Sequence, residues 1–227
     1  MRLPAFHQRL VRRILPLCPR YGLVLAGEHA MTAHGFPGRP GEDLDFVTDA
    51  GIPLREVAAG VADAYRAAGF AVVVAEVDSR MGRLRITEPE TGRSCELALM
   101  REALQWPPVT CGDVAVISLE DAVGLKVRAF HGYGAVRDLI AVEAVSDLYP
   151  YRELERLARL HDEGFSLPEL VMRLEFVDHL TDGDVAAHGV DEERIRRFAR
   201  AWAEDIKLRR RDDGDLDEAD FDVPVVD

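Results

Sequence analysis

The sequence predicts an α+β protein, with an α/β sheet lobe first and a helical lobe after it. Three observations predict it. Up to about residue 115, short apolar or alternating runs are punctuated by Gly and Pro. One helical periodicity interrupts them (Val57, Val61, Ala64, Tyr65, Ala68), ending at Gly69. From Ser118 onward the pattern is helical throughout, until an acidic end. The expected divisions are 1–115, the sheet lobe with an N-terminal helix; 116–211, the helical lobe; and 212–227, an acidic disordered tail.

Residues 4–17 read as a helix ended by Pro16 and Pro19. Leu23–Ala26 reads as a buried first strand, Glu28–Ala33 as a short helix, and Asp43–Thr48 as the second strand. A helix over 53–68 is followed by a β-rich run over 70–77. A hairpin then joins 83–87 to 94–99 through the turn at Glu88–Gly92. Trp106-Pro107-Pro108 reads as a connector and 114–117 as a short strand. Ser118 with Asp121 fits a capping box, and helices are expected over 118–131, 135–148, 150–162, 167–179 and 191–209.

Composition narrows the function. The 227 residues suffice for a sizeable core, and 48% are hydrophobic. The net charge is -13, but after Arg211 the chain holds eight acids and no base, which leaves about -5 for the body. An acidic body argues against sequence-specific DNA binding, which needs a basic footprint, while leaving room for RNA met through a local patch. Cys18, Cys95 and Cys111 have no metal-like spacing, and an odd count without a signal peptide suggests the reducing cytoplasm. No apolar run is long enough to span a membrane.

The chemistry-bearing residues fall into constellations. Asp43 and Asp45 are two apart on a predicted strand, so they share a face with their carboxylates about 7 Å apart along it. A divalent cation bound through oxygen, with phosphate as co-ligand, relieves their repulsion. Gly27, at a strand-to-helix junction, would let phosphate approach the backbone, and Glu96 on a later strand would complete a three-carboxylate cradle. The competing reading is an exposed Asp-x-Asp on an edge strand. Lys126 and Asp138 flank the Gly132-Tyr133-Gly134 turn at similar heights on an expected helical hairpin, as a phosphate grip with its orienting or basic partner, or as an interhelical ion pair. Arg39, in the turn before Asp43, is a phosphate contact or a solvated loop residue, and Arg137 is open in the same way. His29, His34 and His131 show no metal spacing.

In order and spacing these residues resemble the AbiEii/AbiGii-type (MenT-like) nucleotidyltransferase toxins of the DNA polymerase β-like superfamily. The matching segments are Leu25-Ala26-Gly27-Glu28, Arg39-Pro40-Gly41-Glu42-Asp43-Leu44-Asp45, Lys126 and Arg137-Asp138, within about residues 20–145. The resemblance implies a nucleotidyltransferase-fold mixed sheet lobe with flanking helices plus a helical lobe. It implies Mg²⁺- or Mn²⁺-dependent transfer of a nucleotide from an NTP to RNA, the 3′ end of tRNA in the better-understood members, and a cognate antitoxin. Asp43, Asp45 and Glu96 would hold metal and Asp138 would serve catalysis. Gly27, Glu28, Arg39, Gly41, Lys126 and Arg137 would stand at the nucleotide. Two positions depart from the pattern: Glu28 replaces its second glycine, setting a carboxylate beside the triphosphate, and Gly41 replaces a serine. Two other readings compete: a catalytically impaired homologue that binds a nucleotide or partner, and a small-molecule nucleotidyltransferase like those acting on aminoglycosides.

Overall fold

The computed structural model describes residues 3–36, 43–180 and 189–212. Its strands are β1 (Val24–Leu25), β2 (Leu44–Thr48), β3 (Ala71–Val77), β4 (Met81–Thr87), β5 (Ser94–Arg101), β6 (Val109–Cys111) and β7 (Val114–Val116). They form one seven-stranded sheet in the order β3-β4-β5-β2-β1-β7-β6. β2 lies parallel to β5 and β1 parallel to β7, while the other neighbours are antiparallel. The helices are α1 (Ala5–Ile14), α2 (Cys18–Tyr21), α3 (Gly27–Ala33), α4 (Leu54–Ala67), α5 (Leu119–Tyr133), α6 (Val136–Glu143), α7 (Tyr151–Arg159), α8 (Leu167–Phe176) and α9 (Glu192–Asp212). The architecture is thus the expected mixed sheet with flanking helices, and every helix from α5 on follows the last strand.

The periodicities explain the layers. α4 buries Leu54, Val57, Ala58, Val61, Ala62 and Tyr65, the 3–4 spacing of one helical face, and packs on β3, β4 and β5. The strands answer with alternation: Leu84 and Ile86 of β4, and Cys95, Leu97 and Leu99 of β5, are buried on that side. Each fully buried Leu or Ile adds about 1.5–3 kcal/mol. α1 lies over α4, where Tyr65 Oη donates to Leu10 O at 3.1 Å. A side chain at Gly60 would bring a Cβ within 2.3 Å of Tyr21 Oη, so the two segments approach closely only at glycine. The opposite face of β3–β5 carries Val73, Arg83, Arg85 and Glu96 and has no helix packed on it among the described residues.

Two expectations are corrected and one strand is added. The N-terminal helix ends at Ile14, short of residue 17, but its prolines do not close the helical run: Pro16 and Pro19 open a short 3₁₀ turn and then α2, which ends at Gly22 in the left-handed region (φ 58°). Proline is tolerated in the first turn of a helix because that N–H has no intrahelical partner anyway. Residues 109–111, directly after the double proline and without an expected element, form an edge strand. The helix expected over 135–148 ends at Glu143 and continues as turns to Tyr149. The acidic segment beyond Asp212 lies outside the described residues.

The capping box is present in altered form and holds three segments together. Ser118 Oγ accepts from the Asp121 N–H at 2.9 Å and donates to Asp121 Oδ2 at 2.8 Å. The same carboxylate accepts the N–H of Gln105 (2.9 Å) and of Trp106 (3.2 Å), and His161 Nε2 stands 3.2 Å from Oδ1. Gly124, one turn on, has no room for a Cβ, which would meet Leu157 O at 2.7 Å, so α5 and α7 cross tightly there. Burial of Asp121 pushes its carboxyl up, but hydrogen bonds from His161, Gln105, Ser118 and Trp106 outweigh this and hold it below the usual range. The stabilisation is therefore present above the ordinary carboxylate pKa and lost as pH falls through the folded value. Asp121→Ala should cost about 3 kcal/mol at neutral pH, and its deficit against wild type should shrink below about pH 4. Urea unfolding at pH 7 and pH 3.5 checks both, and a deficit independent of pH would remove the carboxylate from the explanation.

Candidate active site

The site begins where β1 runs out. Ala26 is extended and its N–H donates to Asp45 O at 2.8 Å, continuing the pairing of β1 with β2 by one rung. Gly27 then turns into α3 with φ +63°. A Cβ there would sit 1.9 Å from Asp45 Oδ2, so the Asp45 carboxyl lies directly on the glycine backbone. Both the positive φ and this contact require glycine. The sequence marked Gly27 as a phosphate seat, whereas in the described structure its immediate neighbour is an aspartate.

Asp43 is exposed just before β2, and Asp45 is half-buried within it. Leu44 and Phe46 point the other way into the core, so the apolar residues of the motif anchor the strand that presents the acids. β2 pairs with β5 as Leu44↔Leu97 and Asp45↔Ala98. Continued by one residue, that register sets Asp43 across from Glu96, so all three acids share one face of the sheet. Glu96 is drawn toward β4, with Arg83 Nη1 3.8 Å from its Oε1. Among the described residues no group of three or more His, Cys, Asp or Glu is arranged to hold a metal ion.

Lys126 reaches this place from the helical half. It lies on α5, and its Nζ donates to Asp138 Oδ1 of α6 at 2.8 Å and to Glu28 Oε1 of α3 at 2.5 Å. The hairpin spacing thus brings Lys126 and Asp138 into contact, as an ion pair shared with a third residue. The lysine side chain is 12% exposed. Burial works against its charge, but Asp138 and Glu28 more than compensate and hold its pKa above the ordinary lysine range. Asp45 is pushed the unfavourable way: burial raises its pKa, with Asp43 and Glu28 adding to the rise and Lys126 and Arg137 opposing it. Glu28, Asp43, Asp45, Lys126 and Arg137 therefore share one electrostatic neighbourhood, with Asp138 bound to its lysine.

Other expected residues lie elsewhere. Arg39 and Gly41 fall outside the described residues. Arg137 is exposed and acts on Asp45 only through space. His29 is buried with its ring 5.0 Å from that of His7, His34 Nε2 lies 2.8 Å from Ile117 O, and His131 sits beside the Ser166 N–H and Glu169. The sequence reading missed the contact between Glu28 and Lys126. Its signal was available, since the acid directly after the junction glycine stands where the sequence reading expected the lysine's phosphate.

Because burial and Asp43 disfavour the charged form of Asp45, its ionisation costs stability. That cost is absent below the ordinary carboxylate pKa and fully present above the raised folded value. Asp45→Asn should therefore stabilise the protein in chelator at pH 7.5 by about 1 kcal/mol, or ~2–4 °C in Tm, with the gain vanishing near pH 4. Thermal scans of both proteins at the two pH values test it. A lower Tm for the asparagine variant at pH 7.5 would show that the buried charge is not under strain.

No family model matches the sequence, and no curated protein sequence matches it. Solved structures do resemble it. JHP933 from Helicobacter pylori is 16% identical with a TM-score of 0.58, over 95% of this chain and 99% of its own. A proposed nucleotidyltransferase from the same species is 17% identical with a TM-score of 0.55, over 89% of this chain and 95% of its own. The nucleotidyltransferase toxin MenT4 of Mycobacterium tuberculosis is 18% identical with a TM-score of 0.49, over 84% of this chain and 82% of its own. At these identities the likeness is one of architecture: the seven-stranded mixed sheet with its flanking helices is a nucleotidyltransferase fold.

Proposed function

We propose that the protein is a metal-dependent nucleotidyltransferase that moves a nucleoside monophosphate from an NTP to RNA, with the 3′ end of tRNA as acceptor. The observation that carries this reading is the meeting of two separated pieces of chain. The Asp45 carboxyl on the Gly27 backbone comes within electrostatic reach of Lys126, which Asp138 holds at 2.8 Å. A fortuitous Asp-x-Asp on an edge strand would have no buried lysine facing it.

The donor set suits Mg²⁺ or Mn²⁺. Asp43 and Asp45 supply hard oxygen ligands on one face, and the strain on Asp45 is of the kind a cation relieves. Magnesium commonly takes one or two carboxylates and fills its other positions with water and phosphate oxygens, so two aspartates suffice. When bound it would supply charge neutralisation for the triphosphate and activation of the attacking hydroxyl. Lys126 would bind phosphate oxygens as a point charge, Asp138 would hold its ammonium in place, and Arg137 would stand at the rim. Glu96, on the same face and toward β4, would take the proton of an attacking hydroxyl that enters from that side. The acceptor oxygen would then bond to the α-phosphorus as the bond to the bridging oxygen breaks and pyrophosphate leaves.

The role as toxin of a toxin–antitoxin pair follows from the motif resemblance and is part of the proposal. A second reading is favoured by one observation: Glu28 already occupies Lys126. An impaired homologue would bind nucleotide without transferring it. Incubation with each NTP labelled at the α-phosphate, Mg²⁺ and total tRNA separates the two. Wild type should label RNA 3′ ends with at least one NTP, and Asp45→Ala should lower the rate at least ~100-fold. Absence of label with every NTP would overturn the transferase reading, and calorimetric NTP binding without label would establish the impaired homologue.

A further inference from the structure

We infer that Glu28 is a specificity-determining residue: its carboxylate is a resident counter-ion of Lys126 that an incoming polyphosphate must displace. The inference rests on the nucleotidyltransferase reading of the site and names what the site admits.

The two partners of Lys126 are unequal. Asp138 is on α6, joined to α5 by the turn at Gly134, and its side chain is 9% exposed. It is tied to the lysine by the hairpin itself. Glu28 comes from the first turn of α3, a separate segment packed against α5, and its side chain is 22% exposed. It has the route to solvent, so it is the partner that can leave. A lysine ammonium has three donors, and two are taken here. The remaining N–H cannot simply donate to a phosphate oxygen while Glu28 stays. A phosphate oxygen at hydrogen-bond distance from Nζ would lie within about 5 Å of the Glu28 carboxylate, in surroundings where like charges repel well beyond thermal energy.

The neighbourhood sharpens the selection. Glu28 also acts on Asp45, alongside Asp43, while the cations felt there are Lys126 and Arg137. With Asp138 counted, acids outnumber bases there among the described residues. A bare polyanion is repelled, whereas a polyphosphate carrying a divalent cation brings a charge for the aspartates together with a ligand for Lys126. Glu28 thus sets a threshold: a monophosphate offers too little to displace it, and a metal-bound triphosphate offers enough.

Calorimetry with magnesium tripolyphosphate, magnesium with inorganic phosphate, and each magnesium NTP tests the inference on wild type and Glu28→Gln. The glutamine keeps shape and hydrogen bonding but removes charge, and Glu28→Ala serves if it fails to fold. Expected is a gain of about tenfold or more in tripolyphosphate affinity, a gain at least as large for phosphate, so that the preference for triphosphate narrows, and an NTP KM that falls without loss of kcat. On a Lys126→Met background the same substitution should give no gain. Equal or weaker tripolyphosphate binding by Glu28→Gln overturns the inference while leaving the transferase reading in place. Folded wild-type and Glu28→Gln proteins that bind neither tripolyphosphate nor any NTP overturn both.

Discussion

The site depends on one contact, the Asp45 carboxyl lying on the backbone of Gly27. It needs a residue without Cβ, a backbone with positive φ, and two strands paired so that Ala26 stands opposite Asp45. Each requirement comes from a different stretch of chain. The β1–β2 pairing comes from apolar strands buried on both sides of the rung, the φ from glycine, and the exit direction from α3. The acid is held where solvation is poor and where protein neighbours decide its charge state. In the proposed function this is the place where the acids would meet a nucleotide's phosphates.

The helical half completes the site from the other side. Lys126 is delivered by α5, whose start is fixed by Ser118 and Asp121 and whose crossing with α7 is fixed by Gly124. Arg128, on the same helix, binds Glu102 at 2.7 and 2.5 Å and so ties α5 to the chain just past β5. At the far end of α5, Arg173 of α8 donates to the carbonyl oxygens of His131 and Gly132. The lysine therefore sits on a helix clamped at its start, middle and end.

Much of this was legible in the sequence, for physical reasons. The strands carrying the acids show plain alternation, α4 shows a plain helical stripe, and the Gly132-Tyr133-Gly134 turn set Lys126 and Asp138 at matching heights. Elements whose signals contradict one another were not legible. Prolines at 16 and 19 usually stop a helix, yet they also suit its first turn, and only the packing of α1 and α2 over α4 chooses between these. Val109–Cys111 is too short to show a period and follows two prolines. Glu28 illustrates the limit for sites: the sequence shows a misplaced charge, but only three-dimensional placement reveals that the lysine has been neutralised by it.

β3 has a different consequence. It is a seven-residue, valine-rich strand at the end of the sheet, with Val73 61% exposed and no strand beyond it among the described residues. Such a margin invites another chain to zip onto it and seed fibrils. The pairing with β4 slips between Val74 and Glu76, which bends the strand and sets an acid into the outer row. That kink and that charge act as gatekeepers, making the border a poor template for runaway self-association while leaving its inner side free to hold α4.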